Sequence, residues 1–274
     1  MLGLSLVVGF QLTVRLAQRD AGIDRDVSGN ACLVAVLVGV LGARLLYVAV
    51  NPEIMEDTGG SWWSVQAGGL MGLGGLVAGF LAAFVYLRIK HVSVMRVADA
   101  AMPGLAVGVV LTRLGSYLYG SDFGIRLGDG APAFLKALGT FPHWQDSTLF
   151  GAPAFAYHVE RYGLARDAAA SYPVHPVQLY EASFGLLLLG LAVFLRRLDG
   201  VVPGRRFLRF VGVYGLGAFL LSYLRDDPDR GVLFDFTATQ LIVMLVLPLC
   251  LIVHNQLGRT VTPRSDDSVA EPRA

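Results

Sequence analysis

Residues 29–50 read GNACLVAVLVGVLGARLLYVAV, an apolar run interrupted by one charge, Arg44. A bilayer core about 30 Å thick takes roughly 20 mostly apolar residues to cross as a helix, and this run is that long. Working outward by the same criterion gives six more runs, near 1–17, 68–87, 97–119, 177–195, 207–224 and 233–254. Composition agrees: 54% of residues are hydrophobic, 16% are charged and the mean hydropathy is +0.58, against about 25% charged in an ordinary soluble domain. The sequence predicts an all-α, polytopic membrane protein of about seven transmembrane helices. Its single transmembrane domain spans 1–257, and the polar residues 258–274 are expected to be a disordered cytoplasmic tail.

The 22 Lys and Arg residues are unevenly placed. Fourteen fall near 15–28, 88–96, 196–209 and in the tail, whereas the short loops on the other side hold only Arg225 and Arg230. Cytoplasmic loops are the Lys/Arg-rich ones, so the N-terminus is expected outside and the C-terminus inside. The segment 120–176 is then a periplasmic excursion, too long for a bare connector and expected to carry short helices of its own. No internal repeat of the kind common in transporters is visible. The N-terminal stretch lacks a basic n-region and a small-residue cleavage site, so it is expected to remain as a helix. Cys32 and Cys250 sit in apolar runs without ligand spacing. With no nucleotide loop or zinc-type cluster, neither cofactor, metal nor nucleic acid is expected.

Two arginines lie where lipid is expected. Arg44 follows Gly42-Ala43, and Arg113 stands in Thr112-Arg113-Leu114-Gly115; each would cost about 2.5–3.5 kcal/mol near a span's centre. Either each snorkels to the interface from an outer helix end, or both face a polar cavity and hold an anion such as a phospholipid phosphate. Asp99 lies closer to the inner end and is read as a cap or partner. At the fifth span, Pro176 suits a first helical turn, Glu181 would complement the positive helix end, and Tyr180 would anchor it at the membrane boundary.

The string His175-Pro176-Val177-Gln178-Leu179-Tyr180-Glu181 resembles the His-Pro-x-Gln-Leu-Tyr-Glu motif of prolipoprotein diacylglyceryl transferases. Arg113-Leu114-Gly115-Ser116-Tyr117-Leu118-Tyr119-Gly120, followed by Gly124, is similar to that family's Gly-Arg-x-Gly-Asn-Phe-x-Asn-Gly-Glu signature at the outer end of the fourth span. Gly42-Ala43-Arg44 with Tyr47, the pairs Gly68-Gly69 and Gly74-Gly75, Asp99, Tyr214-Gly215, Arg225 near Pro228-Asp229, and Gln240 extend the resemblance over nearly the whole chain. There are departures. Leu73 stands where the family has a histidine, Ser116 and Ser121 replace the signature asparagine and glutamate, Ala218 and Ser222 replace a sixth-span arginine and glutamate, and a family tyrosine would fall near Leu2.

The resemblance implies transfer of a diacylglyceryl group from phosphatidylglycerol to a prolipoprotein cysteine, at the bacterial inner membrane, by a monomer without cofactor. It assigns catalysis to Arg113, His175, Asp122 and Glu181. Arg44, Arg113, Arg225, Gln178, Tyr180, Gly115 and Gly124 would bind the phospholipid. Arg113 is the first choice for the phosphate; the proton goes to Asp122, one residue past the expected glutamate, or to His175, with Glu181, Gln178 and Tyr180 fixing the latter. Two alternatives remain: a paralogue using another acceptor, or an inactive lipid-binding membrane protein. His143, Trp144, His158 and Tyr162 are read as anchors of the cap, Trp62-Trp63 as a surface belt, and His91 and His254 as interfacial. Asp226, Asp227 and Asp229 are read as a solvated acidic turn, with cation binding or orientation of Arg225 as the functional options.

Overall fold

A computed structural model describes residues 1–51, 69, 71–144, 151–198, 202–226, 232–233 and 236–259. The expected Trp62-Trp63 belt, Gly68, Asp227, Asp229 and the tail beyond residue 259 lie outside the described residues. Each of the seven anticipated spans is a helix. They are α1 (Leu2–Ala21), α2 (Arg25–Val50), α3 (Gly72–Ile89), α4 (Val94–Tyr119), α7 (Val177–Arg196), α8 (Arg205–Ser222) and α9 (Ala238–Arg259). The excursion contributes α5 (Ala133–Leu138) and α6 (Pro153–Tyr162). Five helices, α2, α3, α4, α7 and α9, are long and apolar enough to cross a membrane. Their large apolar side chains stand exposed, as with Leu37, Phe80, Leu187 and Leu245; helices that turn such residues outward are facing lipid.

The expected span at 233–254 is shifted. A two-stranded hairpin, β1 (Val232–Leu233) with β2 (Phe236–Thr237), precedes the helix and pairs Val232 with Thr237. The cause is local. Thr237 Oγ1 accepts the Gln240 N–H at 3.2 Å and Gln240 Oε1 accepts the Thr237 N–H at 2.8 Å, a reciprocal capping box that fixes the helix start at Ala238. Gln240, carried into the sequence reading as a family position, is buried in this role. The all-α expectation therefore holds for the body of the chain, with this hairpin as the addition.

The chain divides into two compact units, Met1–Thr112 and Arg113–Ala274. In the first, α2 and α3 pack through small residues: a Cβ on Gly42 would meet the Gly74 carbonyl oxygen at 2.7 Å, so glycine lets the backbones touch. Ala17, Ile23, Ala31, Leu87, Val97 and Ala100 form its core. Asp24 caps α2 by accepting the Asp26 and Val27 N–H groups. Arg44 is buried in this unit, where Nη1 donates to the Gly69 carbonyl at 3.1 Å and the guanidinium lies over Tyr47. In the second unit, the excursion has its own core of Phe123, Phe141, Ala152, Ala154, Phe155 and Val174. His254 on α9 accepts from Arg205 and Arg209 of α8 at 3.3 Å each.

Candidate active site

The site begins where α4 stops. Gly120, at φ 82, ends the helix by donating to the Ser116 carbonyl at 2.8 Å, and Asp122 then takes a left-handed backbone at φ 55. Aspartate tolerates that conformation better than most residues, and its consequence is that the carboxylate folds back against the end of α4. Asp122 Oδ2 accepts from Ser116 Oγ at 2.7 Å and from Arg113 Nη1 at 3.1 Å. Asp122 Oδ1 accepts from Arg225 Nη2 at 2.6 Å. Arg113 uses its Nε against Glu181 Oε2 at 3.0 Å. Glu181, Arg113, Asp122 and Arg225 thus form one continuous chain of alternating charge. Its side chains are partly screened from solvent, from 10% exposed at Glu181 to 28% at Asp122.

Three segments hold this chain of charges together. Residues 123–126 run between 174–175 and 224–226, through Gly124 N–H to His175 O, His175 N–H to Ile125 O, Ile125 N–H to Leu224 O and Asp226 N–H to Phe123 O. A Cβ on Gly124 would lie 2.6 Å from the His175 carbonyl oxygen and 2.7 Å from that of Leu224, so only glycine fits there. Gly124 therefore positions the Arg225 segment by backbone contact. Gly115 lies on α4, two residues beyond Arg113.

Gln178 is fully buried and donates through Nε2 to the Ser121 carbonyl at 2.5 Å, pinning the turn that carries Asp122. Its Oε1 is buried without a hydrogen-bond partner among the described residues. Gln178 and Glu181 are three apart on α7, so one helix face supplies both. Glu181 is the fifth residue of α7, beyond the first turn, and its charge is directed at Arg113 in place of the helix end. His175 is joined through its backbone to Gly124 and Ile125, and its Nδ1 lies 3.3 Å from the Tyr180 hydroxyl.

Burial by itself would raise the Asp122 carboxyl, but the charges of Arg225 and Arg113, with hydrogen bonds from Ser116 and Arg225, hold it below its ordinary value. The two guanidiniums thus favour its anionic form. Tyr214 on α8 lies within electrostatic range of Arg113, Glu181 and Arg225.

Of the residues read as membrane anchors, His158 lies in the interior of the excursion, while His143, Trp144 and Tyr162 are half-buried against it. His158 is fully buried, accepts the Tyr172 N–H at Nδ1, and is surrounded by the rings of Phe123, Tyr157, Tyr162 and Tyr172. His143 stacks on Phe155 with centroids 4.4 Å apart, and Trp144 meets Tyr119. Arg126 lies over Tyr162 and Tyr172. Tyr162 donates to Asp226 Oδ2 at 2.8 Å, tying the excursion to the Arg225 segment. Asp226, expected in a solvated turn, is thus engaged. The sequence reading missed this pair and the Ser116 hydroxyl; for Ser116 the available signal was its spacing of three from Arg113 on one helix face.

The sequence profile of the prolipoprotein diacylglyceryl transferase family matches residues 1–254. Among similar proteins, one from Lysinibacillus sphaericus is 27% identical over 260 residues, covering 93% of this chain and 87% of its own length. One from Thermus thermophilus is 29% identical over 271 residues, covering 94% and 93%. One from Clostridium tetani is 25% identical over 263 residues, covering 92% and 91%. All three are named phosphatidylglycerol–prolipoprotein diacylglyceryl transferase.

Proposed function

The chain belongs to the prolipoprotein diacylglyceryl transferase family, and on that footing we propose that it transfers the diacylglyceryl group of phosphatidylglycerol to a prolipoprotein cysteine. The observation that carries this reading is the convergence of two guanidiniums, Arg113 and Arg225, on the single carboxylate of Asp122. Two fixed positive charges aimed at one small volume are what a phosphodiester needs, since its non-bridging oxygens accept the planar forks of arginine.

The chemistry places two demands on the site. The departing glycerol phosphate must be stabilised as negative charge builds on it, and Arg113 and Arg225 supply that charge without losing a proton. The acceptor thiol, with a reference pKa near 8.5, must give up its proton. Asp122, within the charged chain, and His175, whose ring meets Tyr180, are the two candidates for that proton. Glu181 holds Arg113 from the side away from Asp122, and Gln178 holds the turn; both position the phosphate ligands. Arg44, buried in the first unit, keeps the role of a phospholipid ligand as a separate proposal to be tested by itself.

The remaining expectations are part of the same proposal: seven spans, N-terminus outside, residues 120–176 as a periplasmic cap, inner-membrane location and a monomer. The charge asymmetry of the loops supports the orientation. A second reading, a paralogue that keeps the phospholipid but serves another acceptor, is favoured by Leu73, an exposed apolar residue at a family histidine position. Complementation separates the two. In a strain depleted of its own transferase, the wild-type chain restores the lipoprotein mass shift, and Arg113→Ala or Arg225→Ala lowers transfer by about 10²–10³-fold, the scale of losing one such stabilising donor. Normal expression without any mass shift would favour the second reading.

A further inference from the structure

Resting on that reading, we propose that Asp122 is a displaceable counter-ion: the phosphodiester takes its place on Arg113 and Arg225, and the carboxylate so released takes the proton of the acceptor thiol. The reasoning starts from charge. Among the described residues the chain Glu181–Arg113–Asp122–Arg225 balances two guanidiniums with two carboxylates, so these four groups are formally neutral before any substrate arrives. Adding a phosphodiester anion to the same two arginines leaves an excess negative charge in a partly desolvated site, which is unfavourable unless one carboxylate gives way or takes up a proton.

Asp122 is the carboxylate that can give way. Glu181 is on α7 and meets Arg113, whereas Asp122 sits on a turn, meets both Arg113 and Arg225, and occupies the point to which they converge. Its left-handed backbone is held there at a free-energy cost that those contacts offset. Once phosphate oxygens occupy the guanidiniums, Asp122 loses the charges that kept it a weak base, while its burial remains. Among the described residues the groups that face it are Arg225, Arg113 and Ser116, and behind them Glu181 on α7 meets Arg113 and Tyr214 on α8 lies in range of both arginines. A carboxylate so placed becomes a stronger proton acceptor only when the lipid is bound.

The step balances. The thiol proton passes to an Asp122 oxygen, the sulfur forms a bond to the terminal glycerol carbon of the diacylglyceryl group, and the bond from that carbon to the phosphate oxygen breaks with its electron pair going to the oxygen. The glycerol phosphate leaves with the added charge on Arg113 and Arg225, then takes the proton from Asp122 and restores the resting ion pairs. No oxidant, metal or further reactant is required.

The test compares wild type with Asp122→Asn as full-length protein in uncharged detergent. Binding of dihexanoyl phosphatidylglycerol is expected to tighten about tenfold in Asp122→Asn, the scale of one charge-assisted contact no longer competed for. Turnover on a cysteine peptide is expected to fall at least about 10²-fold near pH 7, and the deficit should shrink as pH approaches the thiol's own ionisation. A purely structural role would not produce that pH-dependent recovery. Equal or weaker lipid binding by Asp122→Asn overturns the displacement, and retained turnover overturns the proton-acceptor role. Ser116→Ala, which removes one hydrogen bond to Asp122 without changing charge, should tighten lipid binding by a few fold and serves if the first variant fails to fold; weakened binding in Ser116→Ala overturns the displacement too. Tighter lipid binding with no diacylglyceryl transfer by wild type would leave the displacement intact and remove the transferase reading.

Discussion

His158 shows what burial does to a single ionisable group. Desolvation, reinforced by the charge of Arg126 and partly opposed by Asp226, lowers its pKa from 6.5 to about 4. The folded state therefore binds this proton more weakly than the unfolded chain does. Its stabilising contribution is complete above pH 6.5 and is lost as pH falls through about 4. Wild-type thermal stability should decline over that window by at most about 3 kcal/mol from this group. His158→Asn, whose amide oxygen can still accept the Tyr172 N–H but does not titrate, should decline less steeply; an equal slope in calorimetry would contradict the assignment. At this scale the sequence was partly legible. Arg113, Arg225, Glu181 and Gln178 were identified through motif strings, and the structure brings them together. The position of Asp122 was anticipated only as a shifted backbone, because a left-handed residue after a helix end leaves little trace in composition. The aromatic surroundings of His158 were missed, since buried tyrosines and interface tyrosines read alike in a sequence.

At the scale of elements, helices were legible and their couplings were not. Apolar length located seven long helices among the described residues, five of them long and apolar enough to cross a membrane. The start of α9 needed the Thr237–Gln240 capping box, which a hydropathy scan does not see; Gln240→Ala should cost about 0.5–2 kcal/mol of stability, measurable as a lowered melting temperature, and an unchanged one would speak against the cap. The link between α6 and the Arg225 segment could not be read at all, since Tyr162 and Asp226 are far apart in the chain. It makes a testable demand. Tyr162→Phe keeps the ring over which Arg126 lies but loses the hydrogen bond to Asp226. If that bond positions Arg225, turnover should fall about 3–10-fold, the scale of one hydrogen bond, while Asp226→Asn, which keeps an acceptor, should recover most of it. A loss in Asp226→Asn with none in Tyr162→Phe would show that charge at Asp226, not the bond to Tyr162, matters.

For the whole molecule, one physical requirement joins fold to chemistry: cationic groups must be held at the ends of apolar helices, where a phospholipid headgroup would lie. Arg113 near the C-terminal end of α4 and Arg225 just past α8 meet it within the second unit. The proposed orientation, read from the Lys/Arg asymmetry, predicts that a cysteine placed at exposed Asp129 reacts with a membrane-impermeant thiol reagent in intact cells, whereas one placed at exposed Arg88 does not. The central claim is more directly tested by mass. Purified wild-type protein in phosphatidylglycerol vesicles should add one diacylglyceryl group to the cysteine of a lipobox peptide and release glycerol phosphate, with Arg113→Ala and Arg225→Ala strongly impaired. A peptide whose thiol keeps its starting mass, beside lipid that is bound but uncleaved, would contradict the account.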